Sequence, residues 1–75
     1  MTAIQDKIKE WTHPNDKQLV TRTIEDTTIV VAINTDGTYR VMRFFMVGDR
    51  AEVSVDLETA FVADVFLHLL QGYKL

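Results

Sequence analysis

Residues 28–55 read TIVVAINTDGTYRVMRFFMVGDRAEVSV, and this stretch decides the fold. β-Branched and aromatic residues alternate with polar ones in runs of strand length, and Asp36-Gly37 and Gly48-Asp49 separate the runs. Both dipeptides accept positive φ and suit tight hairpins, so the pattern predicts strands joined by short turns. Connections this short join antiparallel strands, which predicts a β-meander.

A further strand is predicted before this stretch, because residues 19–24 show the same alternation and Glu25-Asp26 then forms a turn. The four predicted strands cover residues 19–24, 28–34, 38–47 and 50–55.

The register of the middle hairpin depends on the turn at Asp36-Gly37. A three-residue loop, Thr35-Asp36-Gly37 with a glycine bulge, would mix the two faces of the sheet, so a two-residue turn is preferred. With a two-residue turn at Gly48-Asp49 as well, one face becomes uniformly apolar: Ile29, Val31, Ile33, Met42, Phe44, Met46, Ala51, Val53 and Val55. The other face is polar at one end and has an apolar middle at Val30, Val41, Phe45 and Val47.

Two helices are predicted to flank the strands. Thr2 to Gln5 has the form of a capping box, and apolar residues at positions 4, 8 and 11 predict a short helix over residues 3–11. Asp56 is a suitable N-cap for a second helix running from Leu57, and Gly72 is a suitable C-cap. The predicted fold class is therefore α+β, with a four-stranded antiparallel meander packed against a C-terminal helix and a short N-terminal helix.

Composition limits the chain to one domain, residues 1–75, because a chain this short builds a single small core. It contains no cysteine, so thiolate zinc sites and disulfides are excluded, and no cofactor motif is present. The first residues lack a signal-type apolar region, and no apolar run reaches the roughly 18 residues that span a bilayer. We therefore expect a cytoplasmic protein without a membrane partner.

The last predicted helix has more apolar surface than one sheet can cover. Its polar side is a narrow stripe of Asp64, His68 and Gln71, and almost all its other positions are apolar. This surplus predicts a homodimer or a complex with another protein. We expect a non-enzymatic protein-protein interaction or regulatory module that acts by stoichiometric binding. Two alternative contact surfaces are predicted: Val30, Val41, Phe45 and Val47 on the sheet, or Val62, Phe66 and Leu69 on the helix.

An enzyme is not expected, because the residues that carry chemistry have ordinary structural interpretations. The single serine, Ser54, is predicted to point outward from a strand and has no glycine-rich nucleophile elbow around it. Asp64 and His68 have the spacing of a surface ion pair on a helix, with no third metal ligand. His13 and Asp16 flank a proline turn, where Asp16 is a turn former and His13 an exposed side chain.

Two other functions are kept as alternatives. Arg40, Arg43 and Arg50 lie near Tyr39 and Phe45 and could form a nucleic-acid-binding surface, although a net charge of −3 disfavours it and Arg43 could instead pair with Glu52 or Asp56. The element order resembles the double-stranded-RNA-binding domain, but that family has a lysine cluster where this helix starts with Asp56-Leu57-Glu58. A small acidic phage or mobile-element protein that inhibits a nucleic-acid enzyme is the other alternative.

Overall fold

The predicted order of helices and strands, α-β-β-β-β-α, is confirmed by a computed structural model that describes residues 2–72. The strands form one antiparallel sheet in the order β1-β2-β3-β4, so the meander and the α+β class are both present. The elements are α1 (Ala3–Trp11), β1 (Lys17–Ile24), β2 (Thr27–Ile33), β3 (Tyr39–Val47), β4 (Arg50–Thr59) and α2 (Val62–Gly72). The helix α2 runs through Gly72. The predicted C-cap at Gly72 involves the residues that follow it, and these lie outside the described range.

The N-terminal helix begins with the predicted capping box. The Gln5 amide donates to the Thr2 hydroxyl at 3.1 Å, and the Thr2 amide donates to the Gln5 side-chain oxygen at 3.2 Å. Two amides that the first turn would leave without partners are thereby satisfied. Ile4 and Ile8 then face the sheet, which confirms the helix predicted over residues 3–11.

The predicted register between β2 and β3 is wrong by one residue. Val31 pairs with Val41, and Asn34 closes a three-residue loop by donating its amide to the Thr38 carbonyl at 3.0 Å. Gly37 adopts a φ of +89° in this loop, and the Asn34 side-chain oxygen accepts the Thr38 amide at 3.0 Å. The glycine-bulge alternative is therefore the one adopted, because local hydrogen bonds of Asn34 favour it.

The last hairpin has the predicted register. Phe44 pairs with Val53, and Val47 and Arg50 flank the two-residue turn, in which Gly48 has a φ of +63°. A glycine with positive φ at this first turn position matches the right-handed twist of the strands. The pattern of apolar residues was therefore sufficient to place β3 against β4.

The C-terminal helix does not begin at Leu57, and Asp56 is not its N-cap. The strand β4 continues to Thr59, and Asp56 forms a bulge because Met42 pairs with Val55 while Val41 pairs with Leu57. The extra residue turns Leu57 toward the core. The Asp56 carboxylate is available for Arg43 instead of a helix, with an Nε to Oδ2 distance of 2.6 Å.

The sheet is covered by one helix on each face, which creates two cores. The α1-side cluster is built on buried Val30, Ala32, Met42 and Phe44, with Ile4 and Ile8 packed on it. The α2-side cluster is built on buried Ile29, Val31, Val41 and Val65, with Leu57 and Leu69 packed on it. The strands therefore do not need a register that collects the apolar side chains on one face, because a helix covers each face of the sheet.

The loop between β2 and β3 makes a pH-dependent contribution to stability. The Thr38 hydroxyl and the Thr38 amide, the latter at 3.0 Å, donate to Asp36 and lower the pKa of its carboxyl. A lowered folded-state pKa gives stability that is present above the unfolded pKa of Asp and is lost as pH falls through the folded one. We expect Asp36→Asn to be less stable than the wild type at neutral pH, with the difference vanishing in strong acid. Urea unfolding of both proteins, from neutral pH to well below the ordinary pKa of aspartate, measures this difference in stability. A difference that does not depend on pH would contradict the role given to the Asp36 carboxylate.

Candidate partner-binding surface

The outward side of α2 carries many of the exposed large apolar side chains of the described residues. Among the α2 residues whose burial is described, only Val65 is fully buried, and Leu69 is partly buried against the α2-side cluster. Phe66 is 60% exposed and Leu70 is 78% exposed. The α2 apolar surface is defined by five exposed side chains in and just before the helix: Phe61, Val62, Phe66, Leu67 and Leu70.

The spacing of these residues makes the surface continuous. Val62, Phe66 and Leu70 follow one another at intervals of four, so they form one stripe along the helix. Five partly exposed side chains of this size present on the order of 500 Å² of apolar area. A single patch of this extent is at the upper end of what monomers leave exposed and is often functional.

Two of the three residues of the predicted helix surface are exposed. Val62 and Phe66 are exposed, whereas Leu69 turns toward the sheet and packs on the α2-side cluster. Because α2 starts at Val62 and docks through Val65, the position one turn later faces the same way. Leu67 and Leu70 were missed, although their apolar character and helical spacing are visible in the sequence.

The predicted sheet surface does not exist as one face. Val30 and Val41 are both 0% exposed, and they belong to opposite faces, in the α1-side and α2-side clusters respectively. Phe45 is partly buried, and Val47 is exposed at the end of β3 beside the turn. The one-residue change in the β2–β3 register is the reason, because it exchanges which side chains of β2 share a face with those of β3.

The three arginines of the nucleic-acid alternative are divided between the two faces and paired with carboxylates. Arg43 makes two hydrogen bonds to Asp56, at 2.6 and 3.1 Å, and one to Ser54 at 3.3 Å. Arg50 lies 3.1 Å from Glu52. Arg40 pairs opposite Ala32 and therefore lies on the α1 side, 3.6 Å from Glu58.

In each of the two acid-histidine pairs, Asp64–His68 and His13–Asp16, the aspartate accepts a local hydrogen bond. The Asp64 carboxylate accepts the Thr59 hydroxyl at 2.8 Å, next to the start of α2, and His68 is partly buried. Asp16 accepts the His13 amide at 2.9 Å, and the His13 ring accepts the Asn15 amide at 3.0 Å. These contacts agree with the prediction that Asp16 is a turn former and His13 an exposed side chain.

An open groove of about 580 Å³ lies beside the end of α1. Its walls include Trp11, Asn34 and Arg40. Arg40 is paired with Glu58 and the Asn34 side chain holds the β2–β3 loop, so these polar groups already have structural roles. Within residues 2–72, no group of three or more acidic, histidine or cysteine side chains is arranged to hold a metal ion.

The fold and the α2 apolar surface define a small α+β domain with one unusually apolar outer helix. No protein-family model, curated protein or solved structure matches the chain. In the part of the chain that the structure describes, no helix has the length and apolar character needed to cross a membrane.

Proposed function

We propose that this chain is a non-enzymatic protein-binding domain that acts by stoichiometric association, and that it binds a second copy of itself. The observation that carries the proposal is the α2 apolar surface, because the helix buries Val65 while exposing side chains as large as Phe66 and Leu70. Removing such a surface from water is the main driving force for protein association.

The roles of the chemically capable side chains support a binding function over catalysis. Ser54 donates to Asp56 at 2.8 Å, and Asp56 is held by Arg43, so this serine is not aligned with a histidine base. The regulatory effect of the domain would follow from binding alone.

The arginine pairs make RNA binding the weaker proposal. A phosphate would have to displace Asp56 from Arg43, where two hydrogen bonds hold a carboxylate that is 13% exposed. Arg40 and Arg43 also face opposite sides of the sheet, so a single strand could not contact both on one surface.

The same pairs weaken the proposal of an acidic inhibitor from a phage or mobile element. Glu52, Asp56 and Glu58 each lie against an arginine, which reduces the negative surface that could imitate a nucleic acid. A cytoplasmic location remains part of the proposal, and it rests on the sequence composition.

The experiment is the solution mass of the purified chain, measured by sedimentation over a wide range of concentrations. We expect a mass twice the 8.6 kDa of the chain. Phe66→Glu should weaken this dimer by about thirtyfold or more, because it places an unpaired charge in the contact.

The matched control is Gln71→Glu, which adds the same charge to an exposed position on the polar side of the same helix. This variant should dimerise like the wild type. A wild-type chain that stays monomeric at every concentration, or equal effects of the two glutamates, would contradict the proposal.

A further inference from the structure

On the α2 side of the sheet, most side chains of β1 are left exposed. Four strands form a surface about 15–19 Å wide, and packed helices lie about 8–10 Å apart, so such a face accommodates two helices side by side. The chain places one helix there, α2, which contacts β3 and β4 and contributes Val65 to the α2-side cluster. Ile29 and Val31 of β2 are already buried on this side, so the uncovered part of the face lies over β1.

The circumference of α2 divides into four sides. Val65 and Leu69 face the sheet. Leu67 lies midway between them in sequence, and its side chain is therefore about 180° around the helix, on the side that faces away from the sheet. Asp64 and His68 form a polar flank, which the hydrogen bond from Thr59 places toward β4. Val62 and Phe66 form the opposite flank, toward β1 and β2.

Three sides of α2 are therefore apolar and one is polar. A helix packed on a single sheet needs one apolar side, whereas three are needed by a helix that contacts its own sheet, a neighbouring helix and a second sheet. The polar flank would be the only side left in water.

We propose that the dimer is a face-to-face sandwich in which each α2 packs on the exposed β1 of its partner's sheet. This inference rests on the proposed function and deepens it by naming the occupant. The flank with Phe66 packs against the partner's α2, and the side with Leu67 packs on the partner's β1. A two-fold axis between the helices makes both contacts twice, which gives a closed dimer.

The side chains of β1 fit this occupant. Val20 pairs with Val31, so it points to the α2 side, where it is 45% exposed beside the buried α2-side cluster. Lys17 and Arg22 point to the same side, since they pair with Ile33 and Ile29. They are complementary in charge to the polar flank of α2, where Asp64 lies.

The opposite face of β1 lacks these features. Thr21 and Thr23 point to the α1 side, and Thr23 shares a hydrogen bond with Thr28 at 3.1 Å. A hydroxyl-rich surface can stay in water, so the α1 side needs no second helix.

The area is sufficient for a stable contact. The α2 apolar surface of roughly 500 Å² together with the exposed side chains of β1 approaches the ~800 Å² per partner of a standard stable interface. The α2 surface alone falls short of it, which favours a dimer that buries β1 as well.

The test compares Val20→Glu with Thr21→Glu, neighbouring exposed positions that point to opposite faces of β1. We expect Val20→Glu to raise the dissociation constant of the dimer by about tenfold or more, and Thr21→Glu to leave it unchanged. Circular dichroism of each variant verifies that the sheet is intact.

A second measurement uses the absence of native cysteine. Chains with Val20→Cys are mixed with chains with Leu67→Cys and mildly oxidised, and the mixture of Thr21→Cys and Leu67→Cys is the control. Disulfides form only between Cα atoms closer than about 7 Å, so the first mixture should cross-link preferentially.

The failure of this inference is distinguishable from failure of the proposed function. If Phe66→Glu dissolves the dimer while Val20→Glu does not and the two mixtures cross-link equally, the binding function stands and the sandwich is overturned. If the wild type is monomeric, the proposed function fails first.

Discussion

Replacing Phe44 with alanine is expected to lower the free energy of unfolding by about 3–5 kcal/mol, because the ring is completely buried in the α1-side cluster. Phe44 pairs with Thr28 on one side and Val53 on the other, so the cavity would open in the middle of the sheet. A domain of this length has a total stability of about 4–11 kcal/mol. The variant should therefore be close to unfolding at room temperature.

Chemical denaturation followed by Trp11 fluorescence measures this loss. Met46→Ala is the control, since Met46 points to the same face from the same strand but is 41% exposed. Its cost should be below about 1 kcal/mol. Similar losses for the two variants would mean that the sheet is not packed against α1 as described.

Val65→Asp has the second large expected effect, the detachment of α2 from the sheet. Val65 is the only fully buried residue of α2 in the described range, and it belongs to the α2-side cluster with Ile29, Val31 and Val41. A carboxylate left there without a partner should destabilise the docked helix by about 3–5 kcal/mol. Such a short helix is marginal by itself in water, so it should also unfold.

Far-UV circular dichroism would report this as a loss of helix while the strand signal remains. Gln71→Asp is the matched control, because it introduces the same charge at an exposed position on the polar side of the same helix. It should change stability by less than about 0.5 kcal/mol. Retention of the full helical signal in Val65→Asp would show that α2 is anchored elsewhere.

The parts of the fold that local chemistry controls could be predicted from the sequence. The capping box at Thr2 and the turn at Gly48-Asp49 involve residues a few positions apart, so their hydrogen bonds and φ values follow from residue type. The alternation in residues 28–55 likewise identified the strands, because side chains on a strand point to opposite faces in turn.

The candidate surface was only partly predictable. The apolar surplus of the last helix indicated that some of it would stay exposed, and Val62 and Phe66 are exposed. Which flank docks depended on where α2 begins, and the bulge at Asp56 moved that start from Leu57 to Val62. Leu69 turned inward for this reason.

By itself, the sequence determined that the chain forms a meander with a helix at each end and that its last helix is too apolar for one contact. Only the tertiary structure decided that the helices lie on opposite faces of the sheet. The pairing of Val31 with Val41 and the burial of both Val30 and Val41 follow from that arrangement. The physical reason is that a strand covered on both faces does not need one apolar and one polar side. The alternation of apolar and polar residues therefore no longer indicates the register.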